Sequence, residues 1–227
     1  MTIKKLKLNQ GFTRTLNFMK GKNLVSGFTY VELIVVLSIF AMMTSLVLFN
    51  YSAFQNKVDI KVLASDIALK IVQAQKDAMN GRWNNDAPSG DWKPSYGVDF
   101  KVSNTNFIYF ADTSVVNMYY DDFDSFPSSC PQGECLELIG IKKGNVISEL
   151  RAFDAYFNDI SLLNDLSINF TRPNSKAVFY SDGINVEDSG PVSFVQITVS
   201  SPVGSNQATA CIQVYSSGRV QVGSCVN

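Results

Sequence analysis

The sequence predicts an α+β protein: a long N-terminal helix, with a membrane half and an amphipathic half, packed on an antiparallel β-sandwich. Three observations predict it. An apolar run from Leu33 to Phe49 stands near the start, and neither proline nor glycine interrupts the chain from Phe28 to about Met79. After residue 90, short β-branched and aromatic segments alternate with Gly, Pro, Asn and Asp. A chain of 227 residues, 46% of them hydrophobic, suffices for one sizeable domain plus a tail.

The first 27 residues read as a basic leader. Lys4, Lys5, Lys7, Arg14, Lys20 and Lys22 face no acid, which keeps this end cytoplasmic and sends the rest across the membrane. Loss of residues 1–27 leaves 13 basic and 20 acidic residues, a net charge of −7. Translation from Met19 instead of Met1 gives a shorter leader and the same mature chain. The 17 residues from Leu33 to Phe49 reach roughly 25 Å as a helix, enough to cross most of a bilayer core. A secretory signal peptide puts its small-residue cut site after a shorter apolar core; here Gly27 comes before it. Glu32 is the anomaly, since a carboxylate near the bilayer centre costs about 2.5–3.5 kcal/mol on insertion scales. A plain anchor gains nothing from it, and a cationic partner would offset the cost.

The next stretch changes character. Val58, Leu63, Ile67, Ile71, Ala74 and Ala78 recur every three to five residues, with Lys57, Asp59, Lys61, Asp66, Lys70 and Lys76 on other faces, as in a helix lying on a globular domain. Asn80-Gly81 ends the helix and 84–90 is a loop. Strands are expected at Tyr96 to Phe100, Asn106 to Ala111, Leu136 to Ile141, Leu166 to Thr171, Ala177 to Tyr180, Phe194 to Val199, and in a hairpin from Cys211 to Val222. The resulting organisation is leader 1–27, transmembrane helix 28–51, amphipathic half 52–81 and β-rich domain 91–227.

Gly27-Phe28-Thr29, with Glu32 five residues into the mature chain, resembles the class III signal of type IV prepilins and pseudopilins. The earlier Gly11-Phe12-Thr13 has Leu16 in place of the glutamate and no apolar run behind it. The resemblance implies a type IV pilin-like fold, peptidase cleavage after Gly27, N-methylation of Phe28, and pairing of Glu32 with a neighbouring subunit's new ammonium group. Ala64 to Lys70, Ala74 to Asn80, Tyr96-Gly97-Val98, Phe170 to Asn174 and Ser217-Gly218-Arg219-Val220 look like the minor pseudopilins of type II secretion and related minor pilins. It implies a non-enzymatic filament subunit, of a pilus or a secretion pseudopilus. Its partners would be other pilin subunits, the prepilin peptidase and an inner-membrane assembly platform. The chain would cross the inner membrane once, C-terminal domain exported. The competing class is a monomeric membrane-anchored adhesion or DNA-binding module.

With no histidine in the chain, histidine triads and histidine-ligated metals are excluded. Cys211 and Cys225 lie seven residues either side of Gly218, so a hairpin turning at Ser217-Gly218-Arg219 would set them face to face and join them. Cys130 and Cys135 close a tighter loop. Zinc is the alternative, although four and thirteen intervening residues do not make two knuckles. No cofactor is required. Calcium is the candidate for the acidic run containing Asp121, Asp122 and Asp124, and for Asp182 to Asp188, although neither has EF-hand spacing. Some minor-pilin relatives grip DNA through a Gly-Arg-x-Arg turn. Gly218 and Arg219 are present here, but Gln221 replaces the second arginine, so a plain hairpin turn is favoured and Arg219 is the remaining DNA-contact candidate.

Overall fold

The structure, a computed structural model, describes residues 27–82, 84, 95–113, 117–121, 130, 133–202 and 207–226. It is α+β, with an N-terminal helix α1 (Tyr30–Asn80) followed by strands β1 (Ser95–Lys101), β2 (Asn106–Ala111), β3 (Cys135–Gly140), β4 (Val146–Phe153), β5 (Asp159–Leu163), β6 (Asp165–Thr171), β7 (Ala177–Ser181), β8 (Ile184–Asn185), β9 (Phe194–Ser200), β10 (Thr209–Tyr215) and β11 (Val220–Gly223). All pairings are antiparallel and form two sheets, ordered β3-β2-β1-β6-β7-β8 and β11-β10-β9-β4-β5. The chain divides into two compact units, Met1–Leu46 and Val47–Asn227, and α1 contributes to both.

Within the larger unit, α1 buries one stripe: Ile60, Ala64, Ile67, Ile71, Ala74 and Ala78. The steps of 4, 3, 4, 3 and 4 residues match the helical period, so the stripe runs straight along one face. It joins a single core with Val98, Phe100 and Ile168 of one sheet and Leu150, Ile197 and Ile212 of the other. The expected face is corrected at its start. Val58 is exposed and Leu63 only half-buried, because Val58 lies two residues, about 200° of rotation, from Ile60. The helix ends as expected: the Gly81 N–H donates to the Ala78 carbonyl and the Arg82 N–H to that of Asp77, a Schellman closure with Gly81 at φ 63°.

The stretch between the expected strands at Leu136 to Ile141 and Leu166 to Thr171 supplies two further strands, β4 and β5. β4 is central in its sheet, between β9 and β5. Its alternation is broken at Ser148, where Ile147 opposes Val199 while Glu149 opposes Thr198. This bulge puts Ile147 and Leu150 on one face at an odd spacing, so β4 has no period-2 signature. On the outer face of the six-stranded sheet, Tyr120 from between β2 and β3 clusters with Cys135, Ile108 and Phe110. Carboxylates organise this stretch: Asp112 accepts from the Met118 N–H at 2.9 Å, and Glu134 from those of Thr113 at 3.3 Å and Asp121 at 3.2 Å. Burial, with Glu134 and Asp121 nearby, pushes the Asp112 carboxyl up to about 6 despite the Met118 bond.

Asp99 of β1 lies on the same outer face, opposite Ser167 of β6, whose hydroxyl donates to it. Burial pushes its carboxyl up to about 8, Asp165 adding to the rise while Ser167 and Lys101 oppose it. A folded pKa above the unfolded one means that unfolding releases a proton, so this group's stabilisation is complete below about pH 4 and is lost as pH rises through about 8. Asp99→Asn, which keeps an acceptor for Ser167, is expected to flatten that loss. Thermal melts from pH 5 to 9 check this: the wild type should lose stability relative to the variant with rising pH, and parallel profiles would contradict a protonated Asp99.

Candidate functional site

The N-terminal junction is built from backbone outward. Thr29 precedes α1 and caps it: its hydroxyl accepts the Glu32 N–H at 3.3 Å and its carbonyl the Leu33 N–H at 3.1 Å. Thr29-Tyr30-Val31-Glu32 has capping-box spacing, a start signal legible in the sequence that the focus on Gly27 and Glu32 overlooked. Gly27 and Phe28 lie ahead of the cap, and the Phe28 ring is 80% exposed. Glu32 sits in the first helical turn and, among the described residues, forms no ion pair.

Behind it, Tyr30–Leu48 is long and apolar enough to cross a membrane, with none of that window buried against the rest of the chain. Its hydroxyls are satisfied within the helix: Ser38 donates to the Val35 carbonyl at 2.8 Å and Thr44 to that of Phe40 at 2.7 Å. This face is therefore compatible with a lipid or protein surround. Gly27, Phe28 and Glu32 fall within five residues of one another at the mouth of this span, whereas the leader before Gly27, including Met19, lies outside the described residues.

Both disulfides are present, Cys130–Cys135 and Cys211–Cys225, so the cysteines are not free to bind zinc. The hairpin register corrects the expected geometry. Cys211 stands opposite Gly223, not Cys225. The turn centres on Ser217, β11 ends at Gly223, and Cys225 folds back past the strand end to reach Cys211, with Cα atoms 5.1 Å apart. The tail is held a second time by Gln196, whose amide donates to the Val226 carbonyl at 3.1 Å and accepts the Val226 N–H at 2.9 Å.

The helix, the β6–β7 turn and the β10–β11 turn meet at one point. The Gln75 amide donates to the Ser175 carbonyl at 2.9 Å and to the Gly218 carbonyl at 3.1 Å, tying α1 to the β6–β7 turn and the β10–β11 turn. Gly218 has φ 88°, and a Cβ there would lie 2.0 Å from the Ser175 carbonyl oxygen. The neighbouring Arg219 guanidinium stacks 4.0 Å from the Tyr215 ring centre and donates to the Gln221 side chain at 3.2 Å. The residue in the second arginine's place is thus a partner of the first, and the turn offers phosphate no cluster of cations.

Of the calcium candidates, Asp122 and Asp124 lie outside the described residues. Asp121 accepts from the Asn117 side-chain amide, and the described residues contain no group of three or more acidic or cysteine side chains placed to hold a metal. No family model matches the chain, and no curated protein or solved structure matches it.

Gly218→Ala should destabilise the larger unit by at least about 2 kcal/mol, since it combines a disfavoured φ with a backbone clash that no rotamer relieves. Denaturant unfolding of the oxidised protein measures this; a loss below about 0.5 kcal/mol, the range of an ordinary surface substitution, would mean that the three-way contact is dispensable.

Proposed function

We propose that the protein is a subunit, of the minor class, of a type IV pilus or a type II secretion pseudopilus, assembled after a prepilin peptidase cuts between Gly27 and Phe28. One observation carries the proposal: a glycine, an exposed phenylalanine and a first-turn glutamate stand directly ahead of a helix whose apolar length is entirely unburied. Two further features support it. The helix continues into an amphipathic stretch that packs on two antiparallel sheets, and disulfides close the C-terminal domain as suits an exported one. The resemblance of the late motifs favours a minor subunit that initiates or caps a filament. A monomeric anchored adhesion module would need an apolar helix but not this particular entrance to it.

Processing tests the proposal most directly. Glycine at position 27 lets a peptidase approach the backbone closely, so Gly27→Ser is expected to leave the leader attached, whereas mass spectrometry of the wild type finds a mature chain beginning with methylated Phe28. An uncut wild-type chain in cells with active peptidase would refute the proposal.

Glu32 separates assembly from anchoring. The helix cap uses its backbone N–H, not its carboxylate, so Glu32→Ala keeps the Thr29 bond. Membrane insertion should persist or improve, since an intramembrane charge is removed. Recovery in sheared filaments or with partner pilins, at equal membrane abundance, is expected to fall at least tenfold because a neighbour's ammonium would lose its counter-charge. Equal recovery would favour the adhesion module.

A further inference from the structure

Beside α1 runs a groove of about 450 Å³ between the helix flank and strand β3. Its lining includes Val62, Leu63 and Leu69 of the helix and Phe107 and Ile139 of the sheet. Val62 and Leu69 are 52% and 66% exposed, so their apolar surface lacks a cover within the larger unit. Ion pairs tie helix to sheet near both ends, Lys143 to Asp59 at 2.6 Å and Lys70 to Glu137 at 2.7 Å. The helix rises about 16 Å between Asp59 and Lys70, the length of about five residues of extended strand.

The groove is floored on one side by an open sheet edge. Among the described residues, β3 ends the six-stranded sheet and pairs with β2 alone. The Ile141 N–H donates to the Thr105 carbonyl on the β2 side, and the register is regular from Gly140 back to Glu137. By antiparallel alternation, the N–H and C=O groups of Leu138 and Gly140 therefore point away from β2, towards the groove's open side. The rims carry one further charge each, Asp66 on the helix and Lys142 on the β3–β4 turn, and neither forms an ion pair among the described residues.

We propose that this groove is a docking site for an extended segment of a partner polypeptide, which adds antiparallel to β3. Its backbone bonds to Leu138 and Gly140, alternate apolar side chains enter the groove over Leu63, Phe107 and Ile139, and end residues of opposite charge meet Asp66 and Lys142. The opposite signs of the two rims select a strand that is basic at one end and acidic at the other. A strand suits the site better than a helix because the open edge supplies backbone donors and acceptors that a helix has no free groups to meet.

The test uses the full chain in detergent micelles and fluorescein-labelled acetyl-Glu-Thr-Val-Thr-Val-Thr-Lys-amide, in which both charges and the two valines share one face, together with the same peptide with Glu and Lys exchanged. Saturable binding of the first peptide, whose N-terminal Glu an antiparallel strand sets beside Lys142, is expected by fluorescence anisotropy, with increased hydrogen-exchange protection at the Leu138 and Gly140 amides, and tighter binding of the exchanged peptide overturns the proposal. Gly140→Pro removes an outward N–H, costs no bond to β2 and meets no atom within 4 Å at its Cβ. It should weaken binding at least tenfold with an unchanged melting temperature. Val62→Glu, at an exposed helix position, should do the same without touching the sheet. No saturable binding by the wild type, or undiminished binding by both variants, overturns the proposal. So does a peptide-independent dimer that Gly140→Pro dissolves, since the edge would then belong to a second copy. The readout does not depend on cleavage at Gly27, so it can succeed or fail independently of the filament reading.

Discussion

The burial of one isoleucine–alanine stripe on α1 is the interaction on which the larger unit depends. Each sheet has one apolar face, and a sheet with one apolar face must cover it. Ile60, Ile67 and Ile71 supply volume, while Ala64, Ala74 and Ala78 have almost no side chain and let the sheets approach the helix backbone. Such close approach brings Gln75 within reach of the Ser175 and Gly218 carbonyls, and Tyr109 within 2.5 Å of Asp77, to which its hydroxyl donates. Burial and a hydrogen bond to that carboxylate raise the Tyr109 pKa, which keeps the hydroxyl a donor. The polar contacts sit at the edges of the apolar stripe and fix the rotation of the helix, while the stripe supplies the driving force.

What the sequence reveals follows from how much of each signal is local. The helix, its Schellman end at Gly81 and most strands are written in contiguous patterns and are legible. The inward face of α1 was misplaced by Val58 because an amphipathic stripe is defined by rotation, and one apolar residue off the stripe shifts a reading that counts only spacing. β4 was invisible for a different reason: its bulge at Ser148 converts period-2 alternation into a spacing of three. The hairpin shows the same limit. Equal distance of Cys211 and Cys225 from Gly218 implied the right disulfide through the wrong register, because turn geometry, not symmetry of the sequence, sets the centre at Ser217. At the N-terminal junction the residues were legible, and so was the cap, since Thr29-Tyr30-Val31-Glu32 has capping-box spacing.

The two ends of Glu32's environment can be weighed against each other. A carboxylate in the first turn gains about 0.3–1 kcal/mol from the helix dipole. Its insertion cost approaches about 2.5–3.5 kcal/mol only at the bilayer centre and is smaller at the edge of a span. In a span that begins at Tyr30 the dipole gain offsets part of that cost, so loss of the carboxylate would leave insertion unchanged or slightly improved. The backbone cap is complete without its side chain, so apart from the dipole the carboxylate has no ion-pair role among the described residues.

The polar row on the outer face of the six-stranded sheet has a comparable logic. Apolar alternation forbids a slip of one residue between β1 and β6, because every side chain would change face, but a slip of two preserves the pattern. Polar pairs remove that degeneracy. In the observed register Asp99 faces Ser167 and accepts its hydroxyl, while the Ser95 hydroxyl lies 2.8 Å from the Asn169 carbonyl oxygen and 3.2 Å from the Thr171 hydroxyl. Moved by two residues, Asp99 would face either Asp165 or Asn169, and one of those shifts sets two buried carboxyls together at a cost far above that of a methylene misfit. A buried carboxyl contributes little to stability where it sits, yet it makes the neighbouring registers worse, and register is what carries the β6–β7 turn and its Ser175 carbonyl to Gln75.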